Sequence, residues 1–182
     1  MPLAYIALGS NLPSPAGPPS ATLAAAAERL ASLGRITARS SLYSTAPVGL
    51  TAQPRFLNAV VALDTDLAPR PLLDSLLAIE RHFGRDRAAA VPNGPRTLDL
   101  DILLYGDLAL LEPGLEIPHP RLAQRTFVLV PLAEIAPHAR DPRSGLTAAQ
   151  LLANLLPNAA PPGNEPIAQS VVPIQSTHWL AE

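Results

Sequence analysis

Residues 94–106 read GPRTLDLDILLYG, an apolar run with two carboxylates set inside it. Alternation with a period of two predicts a strand, on which Leu98, Leu100 and Ile102 share one face. Asp99 and Asp101 then share the other, with Cα atoms about 6.5–7 Å apart at the usual strand rise. Two carboxylates that close repel each other unless a cation lies between them. A solvated strand face is the plain alternative. Arg96 and Thr97 directly before the acids, and the apolarity of the flanking strand, speak against it.

Outward from this strand the chain is regularly punctuated. Leu3–Leu8 reads as a first strand running into the turn Gly9-Ser10-Asn11. Ser20 is the expected cap of a helix reaching Leu33 and ended by Gly34. Ile36–Ser44 and Phe56–Leu63 read as the next strands. Pro69 opens a second helix, with Gly84 as its stop signal. After the 94–106 strand, DLALL is a candidate hairpin partner, IPHPRLAQ a turn with a short helix, and TFVLVPLAEIA a helix or an apolar strand. TAAQLLANLL is a last helix. The order strand, helix, strand, strand, helix, strand predicts an α+β, ferredoxin-like fold: an antiparallel sheet with helices packed on one face. Residues 1–156 form the expected domain, and 157–182 a Pro-rich, loosely held C-terminal tail.

Composition narrows the chemistry. The chain has 182 residues, 48% of them hydrophobic, enough for a single sizeable core. Its net charge of −2 gives no general pull toward nucleic acid or anionic membrane. No cysteine is present, so disulfides, thiolate nucleophiles and zinc-thiolate sites are excluded. The N-terminus lacks a basic signal-peptide region and no apolar run is long enough to span a bilayer, which makes the cytoplasm the expected location. All 13 basic residues are arginine. Without lysine there is no Walker A loop and no lysine Schiff base. Phosphate must be handled by arginine, histidine, backbone N–H groups or a metal.

The candidate residues follow from that exclusion. Asp99 and Asp101 form a hard-oxygen pair suited to Mg²⁺, with waters and substrate phosphates completing the octahedra. Two such ions about 3.5–4 Å apart can clamp a transferring phosphoryl group. Arg85 and Arg87 follow Gly84, Arg96 lies across the same loop, and Arg121 and Arg125 flank a segment with His119. Each alone reads as a surface charge. Together they read as a phosphate-gripping set, since guanidinium forks take phosphate oxygens two at a time. His119 stands between two prolines, held stiffly enough to donate to phosphate.

These segments resemble the 6-hydroxymethyl-7,8-dihydropterin pyrophosphokinase family of folate biosynthesis. AYIALGSN, SSLYSTAPVG, QPRFLNAVVAL, LLAIERHFGR, GPRTLDLDILLYG and IPHPRLAQRTFVLVPLAEIAP stand in family order, over about residues 3–156. The resemblance implies an enzyme of EC 2.7.6.3, a ferredoxin-like monomer that moves the β,γ-pyrophosphoryl group of ATP to a reduced pterin. It needs no nucleic acid and no membrane. Asp99 and Asp101 would hold two Mg²⁺ ions. Glu80, Arg85, Arg87, Arg96, Ile102, His119 and Arg125 would bind ATP, with Arg85, Arg87 and Arg96 assisting transfer. Thr45, Pro47, Val48, Phe56, Asn58 and Phe127 would form the pterin pocket. The family often places an Arg-Trp pair just before Gly-Pro-Arg; here Pro92-Asn93 stands there. Two rival readings remain at this point: a pterin- or nucleotide-binding module without turnover, and a metal-dependent phosphohydrolase or nucleotidyltransferase.

Overall fold

The computed structural model describes residues 2–88, 91–156, 171–176 and 179. Strand β1 (Leu3–Ser10) is followed by helix α1 (Pro19–Leu30), strands β2 (Arg35–Arg39), β3 (Leu42–Thr45) and β4 (Phe56–Asp64), and helix α2 (Pro69–His82). Strand β5 (Asp99–Tyr105), the hairpin β6 (Leu110–Glu112) and β7 (Leu115–Ile117), helices α3 (Thr126–Ile135) and α4 (Ala148–Leu155), and strand β8 (Val171–Ile174) complete it. The main sheet runs β5-β1-β4-β3-β8, with β2 also on β4, and its pairings are antiparallel. Up to β5 this is the expected split β-α-β unit.

Strand β1 lies between β4 and β5 and is buried on both faces. Ala4, Ile6 and Leu8 enter a core shared with α1 and α2, while Tyr5 and Ala7 pack on a second core. That second core contains Val128, Leu129 and Leu132 of α3 and Ala148 and Leu151 of α4. Helices α1 and α2 thus take one face, as expected, and the chain after β5 adds a helical layer to the opposite face. TFVLVPL could not announce this, because an apolar sequence all around a helix names no single buried face.

Strand β5 keeps the predicted alternation through Ile102 and then breaks it. The β1–β5 register steps from Ile6↔Ile102 to Tyr5↔Leu104, leaving Leu103 as an extra residue. Leu103 and Leu104 therefore both join the second core, while Leu98, Leu100, Ile102 and Tyr105 join the first.

Other expectations change for local reasons. Helix α1 starts on Pro18 and Pro19 with no side-chain cap, so Ser20 lies in its first turn. The strand expected over Ile36–Ser44 is two strands. At the break, Ser40 donates its N–H to Val60 O while its Oγ accepts the Val60 N–H, so a hydroxyl replaces a ladder carbonyl. Leu110–Glu112 pairs with Leu115–Ile117 across Pro113-Gly114 rather than with β5. TFVLVPLAEI is helical around Pro131.

The segment after Leu156 is not uniformly loose. Strand β8 joins the sheet beside β3, and Trp179 is 3% exposed within the first core. The remainder of the expected tail lies outside the described residues. Among the described residues no helix is long and apolar enough to cross a membrane.

Candidate active site

Strand register assembles the site. Gly9 on β1 pairs with Asn58 on β4 and with Asp99 on β5, so three sequence-distant residues stand abreast. A Cβ at Gly9 would lie 3.0 Å from Asn58 Oδ1 and 4.0 Å from Asp99 Cβ. A side chain at Gly9 would press on the Asn58 amide. Asn58 Nδ2 donates to Thr45 Oγ1 at 2.7 Å, fixing which way the buried amide points.

These residues border a cleft of about 290 Å³. Of the expected pterin residues, Thr45, Val48, Phe56, Asn58 and Phe127 line it, and Pro47 does not. Asp99, Asp101, Arg96 and Arg125 line its polar side. Arg96 Cζ lies 5.1 Å from the Phe56 ring centre and Arg125 Cζ 5.5 Å from that of Phe127. Each aromatic wall is thus flanked by a guanidinium that also faces a carboxylate.

Both acids point to the cleft face, as the alternation requires. Arg96 NH1 meets Asp99 Oδ2 at 2.9 Å, with Arg85 at 3.8 Å and Arg87 at 3.9 Å from Asp99 Oδ1. Asp101 Oδ2 has His119 Nε2 at 3.8 Å and Arg125 NH1 at 4.0 Å. Burial, then the Asp99 charge, push the Asp101 carboxyl up to about 6. Burial, then Arg125 and Arg121, hold His119 down to about 4, so its ring is neutral at pH 7. His119 Nδ1 accepts the Arg121 N–H, which leaves the proton on Nε2, aimed at the acids. The segment is tied to the sheet because His119 N donates to Leu103 O at 2.9 Å.

Glu80, expected to bind ATP, is committed to protein partners. It is 1% exposed, and its oxygens accept Arg87 Nε and NH2, each at 2.8 Å, and the Leu100 N–H at 2.8 Å. It braces Arg87 against β5 and raises that arginine's pKa, whereas burial lowers those of Arg85 and Arg125. The Ile102 side chain is also elsewhere, in the core under α1 and α2. Leu100 turns its N–H outward to Glu80 from edge strand β5, so by the two-residue period the backbone of Ile102 faces the same outer edge.

Among the described residues, Arg85 Nε, Arg96 Nε and Thr97 Oγ1 are buried without a hydrogen-bond partner. All three residues line a depression of about 220 Å³ next to Asp99. Unspent donors beside acids suit an anion and a cation bound together.

The sequence reading missed the residues that join the loops. Asn11 Oδ1 accepts the Arg96 N–H, and Asn11 Nδ2 donates to Gln53 Oε1 and Pro54 O. Gln53 Nε2 donates to Leu50 O and Asn93 O, so the 46–55 loop is fastened to the 91–96 loop. Asn93, in the place of the family's Arg-Trp pair, adopts a left-handed φ of 56° and packs on Gly49. Gly9 and Asn11 stood in a quoted turn, yet nothing local marks their partners some 40 to 90 positions away.

Over 138 residues the chain is 52% identical to the Pseudomonas aeruginosa protein named 2-amino-4-hydroxy-6-hydroxymethyldihydropteridine pyrophosphokinase, covering 76% of this chain and 83% of that one. A Synechocystis protein of the same name is 46% identical over 151 residues, 82% of this chain and 74% of its own. The fold is similar to that of Plasmodium falciparum HPPK-DHPS, with a TM-score of 0.67 at 16% identity over 87% of this chain. This chain spans 45% of that longer one. Residues 5–137 match the family model described as 7,8-dihydro-6-hydroxymethylpterin-pyrophosphokinase, and the chain belongs to that family.

Proposed function

We propose that the cleft binds 6-hydroxymethyl-7,8-dihydropterin between Phe56 and Phe127, with Asn58 and Thr45 reading its polar edge. The family's reaction transfers pyrophosphate from ATP to that pterin, giving AMP and the pterin diphosphate, a step in folate biosynthesis. The hydroxymethyl oxygen forms a bond to the β-phosphorus. The bridge to the α-phosphorus breaks with its electron pair leaving on AMP, and the hydroxyl proton is released.

The observation that carries this reading is the placement of Asp99 and Asp101 between an aromatic-walled cleft and an arginine set. Their carboxylates fit Mg²⁺, and the raised pKa of Asp101 marks a pair that a cation would relieve. Ions held by two carboxylates would share their remaining positions with phosphate and water. Two bound Mg²⁺ would supply charge neutralisation at the phosphates and lower the pKa of the hydroxyl. Arg85, Arg96 and Arg125 orient the phosphates, and neutral His119 donates from Nε2. Arg87, aimed by Glu80, is the transition-state contact, and the backbone edge at Ile102 is left for adenine.

The test is incubation with ATP, Mg²⁺ and the reduced pterin. AMP formed only when the pterin is present is the expected result. ADP would indicate a simple kinase, and no nucleotide product would favour a binding module.

A further inference from the structure

Among the described residues, the C-terminal segment pairs with β3, the strand that carries Thr45 to the cleft. In β8, Val171 pairs with Thr45, Val172 with Ser44, Pro173 with Tyr43 and Ile174 with Leu42. Thr45 is the residue whose hydroxyl holds the Asn58 amide. Beyond the strand, Trp179 anchors the segment: its Nε1 donates to Ser40 O at 2.7 Å, and Arg39 lies 5.9 Å over its ring. Ser40 sits at the break between β2 and β3, so the anchor fixes one end of β3 while Val171 flanks the other. Arg85, Arg87 and Arg96 stand between α2 and β5, and Arg125 closes the 119–125 segment; none of these stretches pairs with β8. The match to the family model ends at residue 137.

We propose that β8 and Trp179 form a latch that holds β3 in the position binding the pterin, with Trp179 as a positioning residue. This inference rests on the assignment of the Thr45–Asn58 cleft to the pterin. An edge strand carrying a binding residue has one neighbour to fix it; β8 gives β3 a second. Because coupling between sites is reciprocal, a latch that favours pterin binding is itself tightened by pterin.

The experiment uses the full chain and Trp179→Ala, with Trp179→Phe as the conservative variant. Trp179→Ala is expected to weaken binding of 6-hydroxymethyl-7,8-dihydropterin by about fivefold or more, within the usual range of coupling between sites. ATP affinity and kcat at saturation should hold, and Trp179→Phe, which keeps the buried ring but loses the Nε1–H bond to Ser40 O, should recover part of the loss. Equal weakening of both ligands, or unchanged pterin affinity, would overturn the latch. Wild-type hydrogen exchange covers the case in which Trp179→Ala does not fold. Pterin alone should slow exchange over 42–45 and 171–174 while ATP alone should not, and the lack of that difference also overturns it. The outcomes separate the two readings. AMP formation without pterin-selective protection removes the latch and leaves the activity; protection without AMP removes the activity and leaves the latch.

Discussion

At the scale of single residues, the acids carry the sharpest expectations. Asp99→Ala and Asp101→Ala should each lower turnover by several powers of ten, about 10³-fold or more, by removing a metal anchor. Their circular dichroism should match the wild type, since loss of a repulsive pair does not unfold the metal-free protein. Near-native activity in either variant would refute the metal site. Arg87→Ala should reduce kcat by about 10²-fold, on the scale of one preorganised donor, with ATP affinity little changed. Glu80→Gln should shift kcat in the same direction and by less, because the amide still accepts the Leu100 N–H while holding Arg87 more weakly. Single-turnover kinetics beside ATP titration decides both. Phe127→Ala should cost roughly 1–3 kcal/mol of pterin binding and spare ATP, read by calorimetric titration. Much of this site is legible because Arg96, Asp99 and Asp101 lie in one short segment whose alternation states which way they face. Glu80 was legible only as an ATP-binding residue, and only through the resemblance. Its partners, Arg87 and the Leu100 N–H, meet it through helix α2 docking on β5, and no spacing in the sequence encodes that.

At the scale of elements, Pro69 and Gly84 marked the ends of α2, whereas α1 stops at Leu30, short of the expected Leu33 and its Gly34 stop; the pattern of two marked the strands. Ser40 escaped because its role is to accept a backbone N–H that the ladder would otherwise satisfy. Ser40→Ala leaves that buried N–H of Val60 unpaired and should destabilise the protein by about 1–3 kcal/mol, measurable as a lower urea midpoint. Trp179 escaped for a different reason. Its surroundings in the sequence are Pro-rich and aperiodic, and a single buried tryptophan anchored to a carbonyl of the β2–β3 break leaves no periodic trace. Pro173 in the middle of β8 lacks an N–H, a common way to keep an outer strand from recruiting another.

At the scale of the whole molecule, two opposed titrations meet at the site. Asp101 is raised from 3.8 to about 6, so its contribution to stability is present below about 3.8 and lost as pH rises through about 6. His119 is lowered from 6.5 to about 4, so its contribution is present above about 6.5 and lost as pH falls through about 4. Without metal, the two nearly cancel between about pH 4 and 6. Asp101→Asn should therefore make Tm climb with pH across that window, and His119→Gln should make it fall, by calorimetry in chelator. Parallel profiles for the two variants would refute the assignment. The extra residue of β5 bears on how this protein could vary in length. Because Leu103 stands outside the β1 ladder, its deletion would leave Asp99 and Asp101 opposite Gly9 and Ala7, so the acids would stay in register. Its carbonyl, however, is the one that catches His119. A shortened chain would keep its carboxylate face and lose its grip on the histidine, so a single deletion would separate Asp99 and Asp101 from His119 where substitutions at Leu103, which leave the carbonyl in place, would not.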